Sequence, residues 1–218
     1  MVAWRAPQRG FSGSAAYWPR AHAGWRQYGD VRVRCAGETA GPTGSVLRQL
    51  DVEVDSSSPG GSCSLGDAES SLGDAKSCRR VTHVHFTGWP NYGVPDVAAF
   101  CAMVREVCCL QETAAAAAGS PGDAAAQGTL SPPSAPPLLV HCSGGVGRSG
   151  AFVAVHSVWA VARANAEPPA ATPAGIQLVP VVAAMRNQRH PWCVETFEQY
   201  AFCYDALLHL LGGTMAIS

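Results

Sequence analysis

The residues best suited to covalent chemistry lie in the segment HCSGGVGRSG, residues 141–150. Cys142 follows a short apolar stretch, and a turn with three glycines leads from it to Arg148. A glycine-rich turn at a helix N-terminus can direct several backbone N–H groups into one hollow, so the segment predicts an anion-binding loop. The planar guanidinium of Arg148 matches two oxygens of a tetrahedral oxyanion. The same positive field is expected to lower the pKa of Cys142 and make it a nucleophile towards phosphorus.

The neighbouring residues are assigned supporting roles. Ser149 is placed to hydrogen-bond the sulfur and help it leave, and His141 can hold the turn through its ring nitrogens. The phosphate is expected to bind the loop residues Ser143, Gly144, Gly145, Val146, Gly147 and Arg148. We call residues 142–148 the phosphate loop. The alternative interpretation is a glycine-rich turn that carries a packed core cysteine.

The composition limits the class of protein. The 218 residues suffice for one domain with its own core. The chain is 47% hydrophobic and 14% charged with a formal net charge of −1, which argues against a nucleic-acid binder because such domains are usually basic. No apolar run approaches the length needed to span a bilayer, and the N-terminus lacks the apolar core of a signal peptide. We therefore expect no membrane span in this chain and a cytoplasmic location.

The remaining cysteines and histidines show no spacing typical of a metal site. The chain has nine cysteines and seven histidines, but no CxxC pair. An odd number of cysteines without regular spacing is also a poor disulfide framework. We expect no metal, no cofactor, and free thiols in a reducing compartment.

The elements that must position these residues follow from hydrophobic periodicity. Strands are predicted over 29–36, 46–54, 80–86 and 137–141, and helices over 95–110, 148–163, 176–188 and 195–211. A buried strand that leads through a glycine-rich turn into a helix predicts an α/β domain.

Two segments of biased composition interrupt these elements. Residues 54–78 are rich in Ser and Gly, and residues 113–137 are rich in Ala, Gly and Pro. The first lacks the apolar residues to offset the entropy cost of ordering. The alanines of the second could form a helical turn, but its prolines make most of it a flexible linker. We predict that both are low-complexity insertions outside the packed core. The rest of the chain is predicted to form a single domain.

The segment HCSGGVGRSG resembles the H-C-x5-R-S/T-G signature of the cysteine-dependent protein tyrosine phosphatases. Three further segments are similar to the same family in the same order: AAYWP at 15–19, RRVTHVHFTGWPNYGVPD at 79–96, and MRNQRHPWCVETFEQYAFCYDAL at 185–207. The set favours the tyrosine-specific branch over the dual-specificity phosphatases. The resemblance implies that AAYWP is a strand.

The resemblance also implies a fold, a reaction and a class of partner. The fold is a phosphatase-II-like mixed central sheet flanked by helices, here with the two insertions. The reaction is hydrolysis of phosphotyrosine through a phosphocysteine intermediate, without a cofactor, and the partners are proteins that contain phosphotyrosine.

The first departure from the family concerns the general acid. The resemblance places it in a mobile loop that reads Trp-Pro-Asp, whereas this chain reads Trp89-Pro90-Asn91 with Trp89 as the supporting residue. Asn91 can hydrogen-bond but cannot deliver a proton, and general acid catalysis typically contributes about 10²–10⁴-fold. Asp96 could replace it only if the loop closed differently. The alternative for Asp96 is an exposed residue at a helix N-terminus.

The second departure concerns the water-positioning glutamine of the family, to which Glu195 corresponds. Glu195 could act as a base towards water, although it would also place a negative charge near an anionic phosphoenzyme. The alternative is a glutamate favoured at a helix N-terminus for dipole reasons. Gln199 matches the second family glutamine and could hold the water instead.

The third departure is at the N-terminus, because the resemblance begins near the middle of the family domain. We expect nothing in residues 1–16 to replace the missing strands, helices and substrate-stacking tyrosine. The chain is therefore interpreted as a partial domain, either a fragment of a longer product or a degenerate copy. Two hypotheses remain open: a phosphotyrosine phosphatase impaired at Asn91, and a catalytically weak module that binds phosphotyrosine.

Overall fold

The structure is a computed structural model and describes residues 2–4, 16–41, 44–54, 77–90, 93–118, 137–164 and 176–212. Within these ranges the chain forms one six-stranded sheet and four helices. The strands are β1 (Val2–Trp4), β2 (Trp25–Tyr28), β3 (Val31–Ala40), β4 (Ser45–Val54), β5 (Ser77–Phe86) and β6 (Val140–His141). The helices are α1 (Val97–Ala118), α2 (Gly147–Ala164), α3 (Leu178–Gln188) and α4 (Phe197–Leu210).

The sheet is mixed, with strand order β2-β3-β4-β5-β1-β6. Strands β2 to β5 form an antiparallel meander, and β1 lies parallel to both β5 and β6. Opposite charges face one another across the meander, where Asp51 accepts hydrogen bonds from Arg34 at 2.7 Å and Arg80 at 2.9 Å. Such cross-strand pairs stabilise one register. The mixed α/β class implied by the family resemblance is confirmed.

The core lies between the sheet and the helices. An aromatic cluster joins three segments, because Phe100 of α1 contacts Phe202 of α4 at 5.0 Å and Phe152 of α2 at 6.4 Å between ring centroids. Trp89, in the loop after β5, completes the cluster at 5.7 Å from both Phe100 and Phe202. All four rings are buried. The helix that follows the phosphate loop is therefore fixed by packing that costs about 3–5 kcal/mol per ring to remove.

The helices agree with their predicted ranges except for α1. Helices α2, α3 and α4 begin and end within two residues of prediction, whereas α1 continues past Leu110 to Ala118. The start of the second predicted insertion is thus helical up to Ala118, as its alanines allowed, because alanine has the highest helix propensity and Thr113 Oγ1 donates to Cys109 O at 2.8 Å. None of the described helices is long and apolar enough to cross a membrane.

The β4–β5 ladder extends into both ends of the first predicted insertion, since Val54 pairs with Ser77 and Glu53 pairs with Cys78. The ladder continues because each residue there satisfies its backbone groups across the strands. Residues 55–76 and 119–136, which make up the rest of both segments, lie outside the described residues.

The N-terminal residues depart from the prediction. Residues 1–16 are predicted to replace none of the missing strands, yet Val2–Trp4 forms β1 between β5 and β6. Three residues are too few to show alternation, so no pattern could reveal the strand. The YWP segment, predicted as a strand, has no regular structure at residues 16–20, and β6 is shorter than the predicted 137–141.

Candidate active site

The phosphate loop joins the end of β6 to the first turn of α2. Gly145 has φ +72°, a backbone conformation that glycine adopts without strain. In this conformation the Gly145 N–H donates to Cys142 Sγ at 3.1 Å. A Cβ on Gly145 would also lie 2.8 Å from Arg189 Nη2, so the guanidinium of Arg189 would have to shift to admit a side chain.

The surroundings of Cys142 favour its thiolate form. Burial alone would raise its pKa, but the hydroxyl and N–H of Ser149, the N–H of Gly145 and the charge of Arg148 together lower the pKa below its ordinary value. Ser149 Oγ is buried and has no hydrogen-bond partner of standard geometry within the described ranges, which leaves the hydroxyl available to the sulfur. The structure thus brings Cys142, Ser149 and Arg148 together at one point, as a nucleophilic thiolate requires.

Arg148 carries unused binding capacity. Its Nη2 donates to Ser143 Oγ at 3.4 Å, whereas its Nη1 is buried with no partner among the described residues. A buried charged donor without an acceptor is costly. An oxyanion in the loop would supply that acceptor.

The imidazole of His141 is held by the phenol of Tyr17. Its Nε2 lies 2.7 Å from Tyr17 Oη, and its Nδ1 lies 3.3 Å from Cys142 O. Tyr17 Oη also lies 3.3 Å from His83 Nε2. Burial raises the pKa of Tyr17 to about 12, so the phenol keeps its proton and links two imidazoles behind the nucleophile. Sequence reasoning missed this role of Tyr17, although the YWP segment pointed to the residue.

A cleft of about 440 Å³ opens over the phosphate loop. Three loop or helix segments line it: Trp89, Pro90 and Gly93 in the loop after β5, Ser143, Gly144, Val146 and Arg148 in the phosphate loop, and Glu195, Thr196, Glu198 and Gln199. The indole Nε1 of Trp89 donates to Gly93 O at 2.8 Å and so spans the predicted acid position. Asn91 itself lies outside the described residues. Within the described ranges, no group of three or more His, Cys, Asp or Glu residues is placed to hold a metal ion.

Asp96 caps the start of α1. Its Oδ1 accepts the Ala99 N–H at 2.8 Å and its carbonyl accepts the Phe100 N–H at 3.0 Å, which is the arrangement of an N-cap. The side chain is exposed and is not among the described residues that line the cleft.

Glu195 and Gln199 lie against the start of α2. A Cβ on Gly147 would lie 2.8 Å from Glu195 Oε2 and 3.1 Å from the side-chain amide of Gln199. Gln199 Oε1 accepts the Glu195 N–H at 3.0 Å, and Thr196, the N-cap of α4, accepts the Gln199 N–H at 3.2 Å. Gly147 therefore permits both side chains to approach the phosphate loop.

Two further residues support the loop and were not singled out from the sequence. Arg189 Nε donates to Gly145 O at 3.2 Å. Val194 has φ +58°, which is strained for a β-branched residue, and its N–H donates to Val146 O at 3.2 Å. Both lie in the segment 185–207 that resembles the family, but no residue-type pattern marks them as contacts of the phosphate loop.

Comparisons with known proteins point to one family. A family model described as protein-tyrosine phosphatase matches residues 5–209. Human receptor-type tyrosine-protein phosphatase epsilon is 29% identical over 204 residues, which cover 91% of this chain and 22% of the relative.

Shorter matches have higher identity. Tyrosine-protein phosphatase 2 of Dictyostelium discoideum is 33% identical over 138 residues (63% of this chain, 30% of the relative). Tyrosine-protein phosphatase non-receptor type 9 of Rattus norvegicus is 35% identical over 130 residues (60% of this chain, 19% of the relative). The chain thus spans less than a third of the length of these relatives. The match of the family model over nearly the whole chain shows that it belongs to the protein-tyrosine phosphatase family.

Proposed function

We propose that the chain hydrolyses phosphotyrosine in proteins through a phosphocysteine intermediate. The observation that carries the proposal is the contact between the Cys142 sulfur and the Gly145 N–H, beside the unpaired, buried Nη1 of Arg148. A thiol with a lowered pKa next to an unused guanidinium nitrogen is suited to attack the phosphorus of a bound phosphate.

In the first step, phosphate oxygens accept hydrogen bonds from the loop N–H groups and Arg148. The Cys142 thiolate attacks phosphorus, a P–S bond forms, and the P–O bond to the tyrosine ring breaks. In the second step water attacks phosphorus, the thiolate leaves, and inorganic phosphate is released. Ser149 donates its hydroxyl to the departing sulfur.

Asn91 sets the expected rate. The tyrosine phenolate leaves without a proton donor at that position, so the first step on phosphotyrosine is slower by about 10²–10⁴-fold than with an acid. Asp96 is committed as the N-cap of α1, which disfavours it as a substitute. The cytoplasmic location predicted from the sequence remains a prediction.

The second candidate is a module that binds phosphotyrosine and turns it over poorly. Asn91 favours it, because the anion site at Arg148 is complete while the acid position cannot protonate a leaving group.

Phosphate release from a phosphotyrosine peptide and from p-nitrophenyl phosphate distinguishes the two. We expect turnover of p-nitrophenyl phosphate, whose phenolate needs little protonation, and its loss in Cys142→Ser but not in Cys109→Ser, an exposed thiol outside the cleft. Asn91→Asp should raise phosphotyrosine hydrolysis by about 10²-fold and p-nitrophenyl phosphate hydrolysis by less. Peptide binding without turnover of either substrate would establish the binding module instead.

A further inference from the structure

We propose that Glu195 is the general base that activates water in the second step, a role that rests on the proposed phosphatase function. Asn91 cannot take up a proton any more than it can supply one, so hydrolysis of the phosphocysteine needs another base. The geometry of the segment 194–199 points to Glu195.

The first observation is the orientation of the Gln199 amide. Only an oxygen can accept the Glu195 N–H, so Oε1 of Gln199 must face that N–H and Nε2 must face the other way. Both amide atoms lie 3.1 Å from an added Cβ on Gly147, and Gln199 lines the cleft. Gln199 can thus donate to a water there, but its NH₂ group cannot accept the proton of that water.

The second observation is that the Glu195 carboxylate is free to accept. It lines the same cleft, with Oε2 against Gly147, and its side chain makes no ion pair or hydrogen bond to another described residue. Of the two side chains at the positions of the family glutamines, Glu195 alone combines a free acceptor with the basicity of a carboxylate.

The third observation is that the backbone next to Glu195 is strained and held. Val194 has φ +58°, and three contacts fix it: its N–H donates to Val146 O, its carbonyl accepts from Arg186 Nη2 at 3.1 Å, and its nitrogen abuts Gly150. Strain of this kind persists only where the surroundings over-determine it. Here it directs Glu195 towards the phosphate loop.

Hydrolysis of the phosphocysteine conserves atoms and charge. A water oxygen attacks phosphorus and the P–S bond breaks, so that Cys142 leaves as a thiolate. The proton of the attacking water passes to the Glu195 carboxylate, and the products are inorganic phosphate and a protonated Glu195, which returns the proton to solvent. No oxidant, metal or second reactant is required.

The test is rapid-quench kinetics of the intact chain with p-nitrophenyl phosphate, together with acid trapping of the phosphoenzyme. We expect the unmodified chain to show little burst, because water attack keeps pace with the first step. Glu195→Gln should release a burst approaching one p-nitrophenolate per active chain, accumulate phosphoenzyme, and lower the steady-state rate by about 10²-fold or more. Glu195→Asp should restore part of the rate. Glu112→Gln, which removes a carboxylate from an exposed ion pair with Arg163, should behave as the unmodified chain.

The possible outcomes are distinct. A steady-state rate for Glu195→Gln that is unchanged or higher, without a burst, would overturn the proposal and show that Glu195 acts only as a repelling charge. A full burst in the unmodified chain, followed by the same steady-state rate as in Glu195→Gln, would also overturn it, because removal of the carboxylate would then not slow water attack. An unmodified chain that forms no phosphoenzyme and releases no p-nitrophenolate would instead refute the proposed function itself, before any substitution at Glu195 is compared.

Discussion

The substitution Gly150→Ala tests whether α2 and the strained Val194 form one rigid unit. An added Cβ at Gly150 would lie 2.6 Å from Val194 N and 3.3 Å from the carbonyl carbon of Cys193. Both neighbours are backbone atoms and both residues are buried, so neither can turn aside as a flexible side chain would. The segment that carries Glu195 must therefore move away from α2.

The size of the effect follows from these distances. An ordinary contact of 3.4 Å requires a displacement of about 0.8 Å at Val194. Overpacking of this kind costs about 1–3 kcal/mol, and loss of the Val194 N–H bond to Val146 O adds about 1 kcal/mol. We expect the free energy of unfolding to fall by about 2–4 kcal/mol, and turnover to fall by about 10²-fold, because a displacement near 1 Å disturbs catalytic geometry.

Urea unfolding and hydrolysis of p-nitrophenyl phosphate measure the two effects separately. Gly37→Ala is the matched control, since a Cβ there meets nothing within 4 Å and the residue lies at the bulge of β3, away from the cleft. If Gly150→Ala gave the same urea midpoint and the same hydrolysis rate as Gly37→Ala, the segment after α3 would be free to move away from α2. The inference that Val194 is held rigidly would then be wrong.

Three further predictions concern charge and hydrogen bonding. The rate of Cys142 alkylation by iodoacetamide should fall only as the pH drops through the lowered pKa of the thiol, with a midpoint below that of free cysteine; a midpoint at or above that of free cysteine contradicts the thiolate. Burial lowers the pKa of His83 to about 3 from 6.5, so the unfolded chain binds more protons between these values and stability should fall as the pH drops from about 6.5 towards 3. Urea midpoints across this range should vary less in His83→Gln, and an equal variation would assign the effect to other groups. Tyr17→Phe removes the hydroxyl shared by His141 and His83 and should lower the free energy of unfolding by about 1–3 kcal/mol; an unchanged urea midpoint would show that water replaces the phenol.

The phosphate loop could be predicted from the sequence because its chemistry depends on local residue types. Cys142, three glycines and Arg148 within one turn specify an anion-binding loop, and the structure places a donor on the sulfur and an unpaired nitrogen on Arg148. The capping role of Asp96 could also be considered from the sequence, because an N-cap residue is defined by the helix that follows it.

The supporting residues could not be predicted, because their roles depend on tertiary contacts. Tyr17 and His141 are far apart in the chain yet meet at 2.7 Å, and Arg189, the C-cap of α3, reaches Gly145. Strand β1 was missed for a related reason: its three residues gain their structure from pairing with β5 and β6 rather than from their own pattern.

The position of β1 has a consequence for the order of folding. Val2 pairs with Val84 on one side and with Val140 on the other, so the strand closes two long chain segments at once. The antiparallel meander can form from neighbouring strands, but β6 joins it only through β1, and such long-range closures are slow. Until β1 inserts, β5 presents an open edge to other chains, which makes early intermediates prone to association. The reactive cysteine should therefore acquire its surroundings late, and refolding at low protein concentration should recover activity that is lost at high concentration.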